Sequence, residues 1–297
     1  MSGLRGRAVL VVIASGFLFG TTGTSVVLAG TGASPLSIAA LRMLVGSLGL
    51  LAVASLQRDW RRILLLWRLR MTWFMGLGVA GYMVAFFASV QTGGVAIASL
   101  VSIALSPLFT AVFARFHGRP WPGLVWLLST ALAVIGVALL GTPMGGTGSA
   151  NRLLGTLFAV VASAAYGSYT VFGAQLVARA HHATDALAAS FSLGALVLLP
   201  LLFTSGSLLL NWRGLVLGLW LGLATTTMSY VMFGYGITHL APGVVATLVL
   251  SEPLVATVLG VSVLGEHMPA QGWIGCALIG AGLILVARNE TKGAPVV

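Results

Sequence analysis

The chain has 297 residues, of which 58% are hydrophobic and only 7% charged, with a mean hydropathy of +1.05. That composition excludes a soluble globular protein and points to one whose solvent is a bilayer. The formal net charge of +10 invites a nucleic-acid reading, but the basic residues are placed as membrane topology places them, and no nucleic-acid partner is expected.

A helix crosses a hydrocarbon core roughly 30 Å thick with about 20 apolar residues. Ten runs of that kind are predicted: 8–29, 35–56, 71–91, 94–115, 121–141, 153–178, 183–203, 213–238, 242–264 and 269–287. The first follows Arg5 and Arg7 as a signal peptide would, but nine spans follow it, so it is expected to be retained. It carries Phe19 and Thr22 at helical spacing. The second holds Arg42, and the third Tyr82 and Ser89. The fourth holds Pro107 and a stripe of Ser99, Ser102 and Ser106 on one face. Tyr166, Tyr169 and Gly173 share a face of the sixth span, and Tyr230 and Gly234 a face of the eighth. The ninth run is interrupted by Glu252 and Pro253, and the last contains Gly275, Gly280 and Gly282. Cys276 is the single cysteine, so no internal disulfide is expected and redox compartment is not encoded.

With the N-terminus inside, the cytoplasmic segments hold Arg5, Arg7, Arg58, Arg61, Arg62, Arg68, Arg70, Arg115, Arg119, Arg179, Arg288 and Lys292, against Arg152 and Arg213 on the other side. This asymmetry requires an even number of spans with both termini cytoplasmic. Trp60, Trp67, Trp73, Trp121, Trp212 and Trp273 lie near run ends, where indoles sit among headgroups.

The chain repeats itself. LSPLFTAV at 105–112 aligns with SEPLVATV at 251–258, setting Pro107 over Pro253. At nearly the same offset Phe19-Gly20 lies over Tyr166-Gly167, Ser47-Leu48-Gly49 over Ser192-Leu193-Gly194, Gly76 over Gly222, Phe87 over Phe233, and Gly136 over Gly282. The expected organisation is all-α, with ten transmembrane helices in two five-helix repeats, 1–146 and 147–297. Because five is odd, the second copy is inverted, an arrangement suited to opening one side while closing the other.

The paired units, LRM at 41–43, SPLFTAVFA at 106–114, SEPLVATVLGVSVLGE at 251–266 and IGCALIGAGLILVA at 274–287 resemble the EamA family of the drug/metabolite transporter superfamily. The likeness covers nearly the whole chain. It implies ten helices, export of small metabolites, and a substrate cavity framed by spans other than the fifth and tenth. Within the family the chain resembles bacterial inner-membrane exporters of the YddG type, which handle aromatic and other neutral amino acids.

Only Arg42 and Glu252 are ionisable residues clearly within spans, and charges at that depth face protein or water. Arg42 is expected about 10 Å below the outer edge and Glu252 about 15 Å above the inner one, within side-chain reach. They are either a structural ion pair or substrate ligands, with snorkelling a third reading for Arg42. Glu252 is also a candidate proton carrier. Pro253 should leave the Val249 carbonyl without a donor, and Pro107 the Ile103 carbonyl, giving paired kinks that gate a midplane site or serve packing alone. Ser99, Ser102 and Ser106 either line a cavity or let helices approach. Phe19, Tyr82, Tyr166, Tyr169 and Tyr230 either frame an apolar cavity or belong to the core. Gly275, Gly280 and Gly282 read as a packing or dimerisation surface, and a homodimer through the fifth and tenth spans is one expectation.

No nucleophile and base, metal-ligand spacing, cation cluster for phosphate, filter sequence or nucleotide-binding loop is seen, so neither an enzyme nor a cofactor is expected. What remains is a secondary transporter of small neutral metabolites, with amino acids first and cationic compounds second. A passive pore or a nontransporting scaffold is the reading from a different class.

Overall fold

The computed structural model describes residues 2–57, 60–93, 95–141, 152–179, 182–265 and 267–291. Arg58, Lys292 and the expected boundary between repeats at 146–147 lie outside them. The described chain is helical and connecting segments: α1 Ser2–Ala29, α2 Pro35–Gln57, α3 Arg61–Trp67, α4 Arg70–Gly93, α5 Val95–Phe116, α6 Leu124–Gly141, α7 Arg152–Ala178 and α8 Ala183–Leu198. There follow a 3-10 helix Leu199–Leu209, α9 Trp212–Leu219, a π-helix Trp220–Met228, α10 Ser229–His239, α11 Pro242–Leu248, α12 Ser251–Leu264 and α13 Ala270–Thr291. Among the described residues eight helical stretches are long and apolar enough to cross a membrane, and Val101–Phe116 and Leu124–Leu140 are shorter apolar helices, which together give the ten-helix membrane fold. Exposed leucines such as Leu10, Leu128, Leu157 and Leu196 suit a lipid-facing surface.

Local chemistry sets the boundaries. Ser34 caps α2 by accepting the Ser37 N–H at 3.2 Å, and Asn211 caps α9 by accepting the Gly214 N–H at 2.8 Å. Pro242 opens α11, where its missing N–H is not needed. Gly265 closes α12 in the left-handed region at φ +70°, which a side chain would strain.

Three of the ten expected spans are less regular than their apolar runs suggest. The seventh tightens into 3-10 geometry, the eighth passes through a π segment, and the ninth breaks between α11 and α12. Hydropathy measures composition and carries no information on backbone pitch. The short α3 was not expected; it buries Ile63 and Leu66 and leaves Leu64 and Leu65 exposed.

Equivalent glycines of the two halves make equivalent contacts. A Cβ at Gly20 would meet Val255 and the Glu252 carbonyl, and one at Gly167 would meet Phe109, the counterpart of Val255, and the neighbouring Thr110 nitrogen. Gly136 abuts Gly275 and Ile279, while Gly282 abuts Ser129 and Ala133. The two halves therefore pack α1 on α12 as they pack α7 on α5, and they join α6 to α13 symmetrically. Gly275 and Gly282 are thus used within the chain, while Gly280 faces open space.

Candidate functional site

Helices from both halves enclose a cavity near the middle of the spans, lined by Phe19, Arg42, Tyr82, Met83, Tyr166, Tyr169, Tyr230, Phe233, Val249 and Glu252. Its volume is small, about 40 Å³. Both membrane charges expected from sequence face this one space, and so do all five expected aromatic residues. None of the lining residues comes from the fifth or tenth span, as the family resemblance implied.

The aromatic wall is continuous. Tyr230 meets Phe19, Phe191 and Phe233 edge-on at ring-centroid distances of 5.1, 4.3 and 5.6 Å. On the other side Tyr166 meets Tyr82 at 5.9 Å and Tyr169 at 5.0 Å. The Tyr169 and Tyr230 hydroxyls lie 3.3 Å apart and join the two sets. The Tyr166 hydroxyl is buried beside Tyr169 and, among the described residues, forms no well-aligned hydrogen bond. A buried polar atom of that kind costs stability unless something meets it.

Arg42 is held from one side. Its Nε donates to the Thr226 hydroxyl at 3.0 Å, an Nη2 proton goes to the Thr225 carbonyl at 3.2 Å, and the Phe19 ring lies 5.9 Å from Cζ. Among the described residues no hydrogen bond or contact ion pair joins Arg42 to Glu252. The expected proximity is met and the structural ion pair is not. Glu252 sits in the first turn of α12, where a negative charge is favoured by the helix dipole.

Both expected free carbonyls are taken. The Val249 carbonyl accepts the Glu252 N–H at 2.8 Å, and the Ile103 carbonyl accepts the Ser106 hydroxyl at 2.8 Å. In each case a near neighbour replaces the donor that proline lacks. Pro253 stands in the first turn of a new helix, whereas Pro107 lies inside the continuous α5.

Of the serine stripe, Ser102 and Ser106 do not line the cavity. Ser106 is spent on its own backbone, and Ser102 is buried with its hydroxyl unpartnered. The side chain of Ser99 lies outside the described residues. Ser89 donates to the Gly155 carbonyl at 2.7 Å and ties α4 to α7. Small hydroxyls that hydrogen-bond the backbone give packing faces in membranes, and periodicity alone does not separate these from cavity faces.

Met83, Phe233 and Val249 of the lining, and the Thr225–Thr226 support of Arg42, were missed. The run of three threonines at 225–227 inside an apolar span was the available signal. Two further acids are buried. Asp185 lies in the first turn of α8, and Glu290 in the last turn of α13, beyond the span end expected at 287. A second cavity, about 60 Å³, lies between residues 111–126 and 241–244, away from both membrane charges.

Comparison with known proteins agrees with this architecture. The model of the EamA-like transporter family matches residues 6–142 and again 153–288. An uncharacterised transporter of Bacillus subtilis (strain 168), YwfM, is 31% identical over 288 residues, 95% of this chain and 94% of that protein. The threonine/homoserine exporter RhtA of Escherichia coli (strain K12) is 31% identical over 260 residues, 86% of this chain and 83% of its own. A crystal structure superposes with a TM-score of 0.75 at 21% identity over 95% of this chain and 98% of that one, a likeness of fold.

Proposed function

This chain belongs to the EamA-like transporter family, and from that premise we propose that it exports small neutral amino acids by alternating access around the central cavity. The observation that carries the reading is that the cavity holds one cation and one anion that do not neutralise each other by contact, set among aromatic rings. A zwitterion presents the two complementary charges and an apolar remainder. An organic cation would leave Arg42 buried and unpaired, and an organic anion would do the same to Glu252, each costly in a low-dielectric site.

Two features support movement about this site. Every residue of α11 is buried, packed chiefly on α5 and also against α1, α13 and α7, and the Thr247 hydroxyl lies 2.9 Å from that of Thr130. In α12 only Ser251, Val255 and Gly260 are buried. The break at 249–250 thus joins a fully buried half-span to one that packs mainly on α1, and the present volume must grow to admit an amino acid. The Escherichia coli relative is a threonine/homoserine exporter, which favours threonine and homoserine over aromatic cargo here. The basic-residue asymmetry supports a bacterial plasma membrane setting with both termini cytoplasmic, and the facing of α6 on α13 leaves Gly280 as the glycine a second copy could meet.

The test is uptake of labelled threonine, homoserine, methionine and phenylalanine into proteoliposomes, with and without a pH gradient. Saturable uptake of at least one is expected. Unsaturable flux would mean a pore, and no flux in folded protein a scaffold or a different cargo; either outcome sinks the reading.

A further inference from the structure

The eighth span leaves α-helical pitch where it passes Arg42. Between Trp220 and Met228 the backbone is π-helical, a geometry that is rare and concentrates at functional sites. One consequence concerns the backbone. The Ser229 N–H pairs with the carbonyls of Ala224 and Thr226 and passes over that of Thr225; the Thr225 carbonyl accepts from Arg42 Nη2. Another concerns the side chain of Thr226. Its hydroxyl donates to the Leu221 carbonyl, five residues back, at 2.8 Å. With its single proton committed there, the oxygen meets Arg42 Nε as an acceptor.

The helix that carries Arg42 is fitted to this turn. Gly46, one helical turn beyond Arg42, has no room for a Cβ against the Thr226 side chain, and the Thr227 hydroxyl donates to the Gly46 carbonyl at 3.1 Å. Gly49 is similarly close to Thr227. The α2 helix and the π turn therefore hold the guanidinium by one edge.

A guanidinium has five N–H donors, of which Nε–H and one Nη2–H are committed to Thr226 and Thr225. The two Nη1 protons and the second Nη2 proton remain. Neighbouring Nη1 and Nη2 prongs match the two oxygens of a carboxylate. Arg42 is the cation among the cavity-lining residues. Fixing it beforehand removes much of the rotamer entropy that an arginine otherwise loses on binding.

We propose that Thr226 is a positioning residue that presets Arg42 as the receptor for the substrate's α-carboxylate, so that the cavity selects amino acids over amines of the same size. This deepens, and rests on, the amino-acid export reading. The substrate then lies with its carboxylate at α2 and the π turn and its ammonium toward Glu252.

The experiment measures binding of L-threonine and of L-threoninamide, which keeps the ammonium and side chain but lacks the carboxylate charge, to the purified full chain in lipid nanodiscs. Wild type, Thr226→Val and Thr226→Ser are compared. Wild type is expected to prefer threonine by about tenfold or more. Thr226→Val should shrink that preference by at least about threefold, weakening threonine and sparing threoninamide, and Thr226→Ser should restore it. Where Thr226→Val does not fold, Thr226→Ala removes the same acceptor with less bulk. An unchanged preference in Thr226→Val, or equal weakening of both compounds, overturns the positioning role. Equal binding of both compounds by wild type overturns the carboxylate receptor while leaving the export reading standing. Failure of wild type to bind any neutral amino acid removes the export reading and this proposal with it.

Discussion

Ser106 and Glu252 occupy the same position in the two halves, each followed by a proline, and the chain behaves differently around them. In α5 the serine hydroxyl donates to the Ile103 carbonyl, so the hydrogen bond that Pro107 cannot give is replaced on the spot and the helix continues. An ionised glutamate only accepts. At the second site the Val249 carbonyl is met by the backbone N–H of Glu252, a tighter turn, and the span divides into α11 and α12. A side chain that serves its own backbone is withdrawn from the cavity, as Ser106 is. One that cannot donate is left for the cavity, and Glu252 lines it. The repeat thus supplies the frame, and departures from the repeat supply the chemistry.

Making the two halves alike at this position breaks the comparison at its functional end. Glu252→Ser should reduce saturable threonine transport in proteoliposomes by at least about 30-fold, since it removes a buried charge opposite the cargo's ammonium. The thermal midpoint of the purified protein should change little, because the described Glu252 side chain makes no hydrogen bond within the chain that would be lost. Transport within about threefold of wild type would place the cargo elsewhere.

The glycines sharpen the structural end. A methyl at Gly20 would sit 2.7 Å from Val255 Cβ and 2.8 Å from the Glu252 carbonyl oxygen; one at Gly167 would sit 2.7 Å from the Thr110 nitrogen and 2.8 Å from the Phe109 carbonyl carbon. Overpacking of that kind costs about 1–3 kcal/mol. Gly20→Ala and Gly167→Ala should therefore lower stability by similar amounts, read from denaturant titration in detergent. A large loss at one and none at the other would show that the halves are not mechanically equivalent at their helix crossings.

Features that depend on composition were legible from the sequence. Ten spans, their repetition and the two intramembrane charges follow from long apolar runs and from what a charge costs among them. The five aromatic residues of the cavity wall were visible as candidates, but helical spacing serves a core as well as a cavity, and that choice stayed open. Less visible was where each hydroxyl points. Ser106 and Tyr166 look alike as polar residues at helical spacing, yet one bonds its own backbone and the other contributes to the cavity wall. Pitch was the other hidden variable. The π turn that holds Arg42 adds no hydrophobicity signal, and the threonines at 225–227 become meaningful only once the glycines at 46 and 49 are seen packed against them.

The gentlest test addresses the serine itself. Ser106→Ala removes the donor that meets the Ile103 carbonyl but leaves Pro107 in place, so α5 acquires the unmet acceptor that the sequence first suggested. Side-chain hydrogen bonds inside membrane proteins are worth about 0.6 kcal/mol on average, and the thermal midpoint should fall by the small amount this implies. Threonine transport should hold within about twofold of wild type, because the Ser106 side chain is not among those lining the cavity. If transport instead collapses while the protein stays folded, straightness of α5 matters to the cycle, and the contrast between a serving serine and a released glutamate would have to be drawn from helix motion instead of from the cavity.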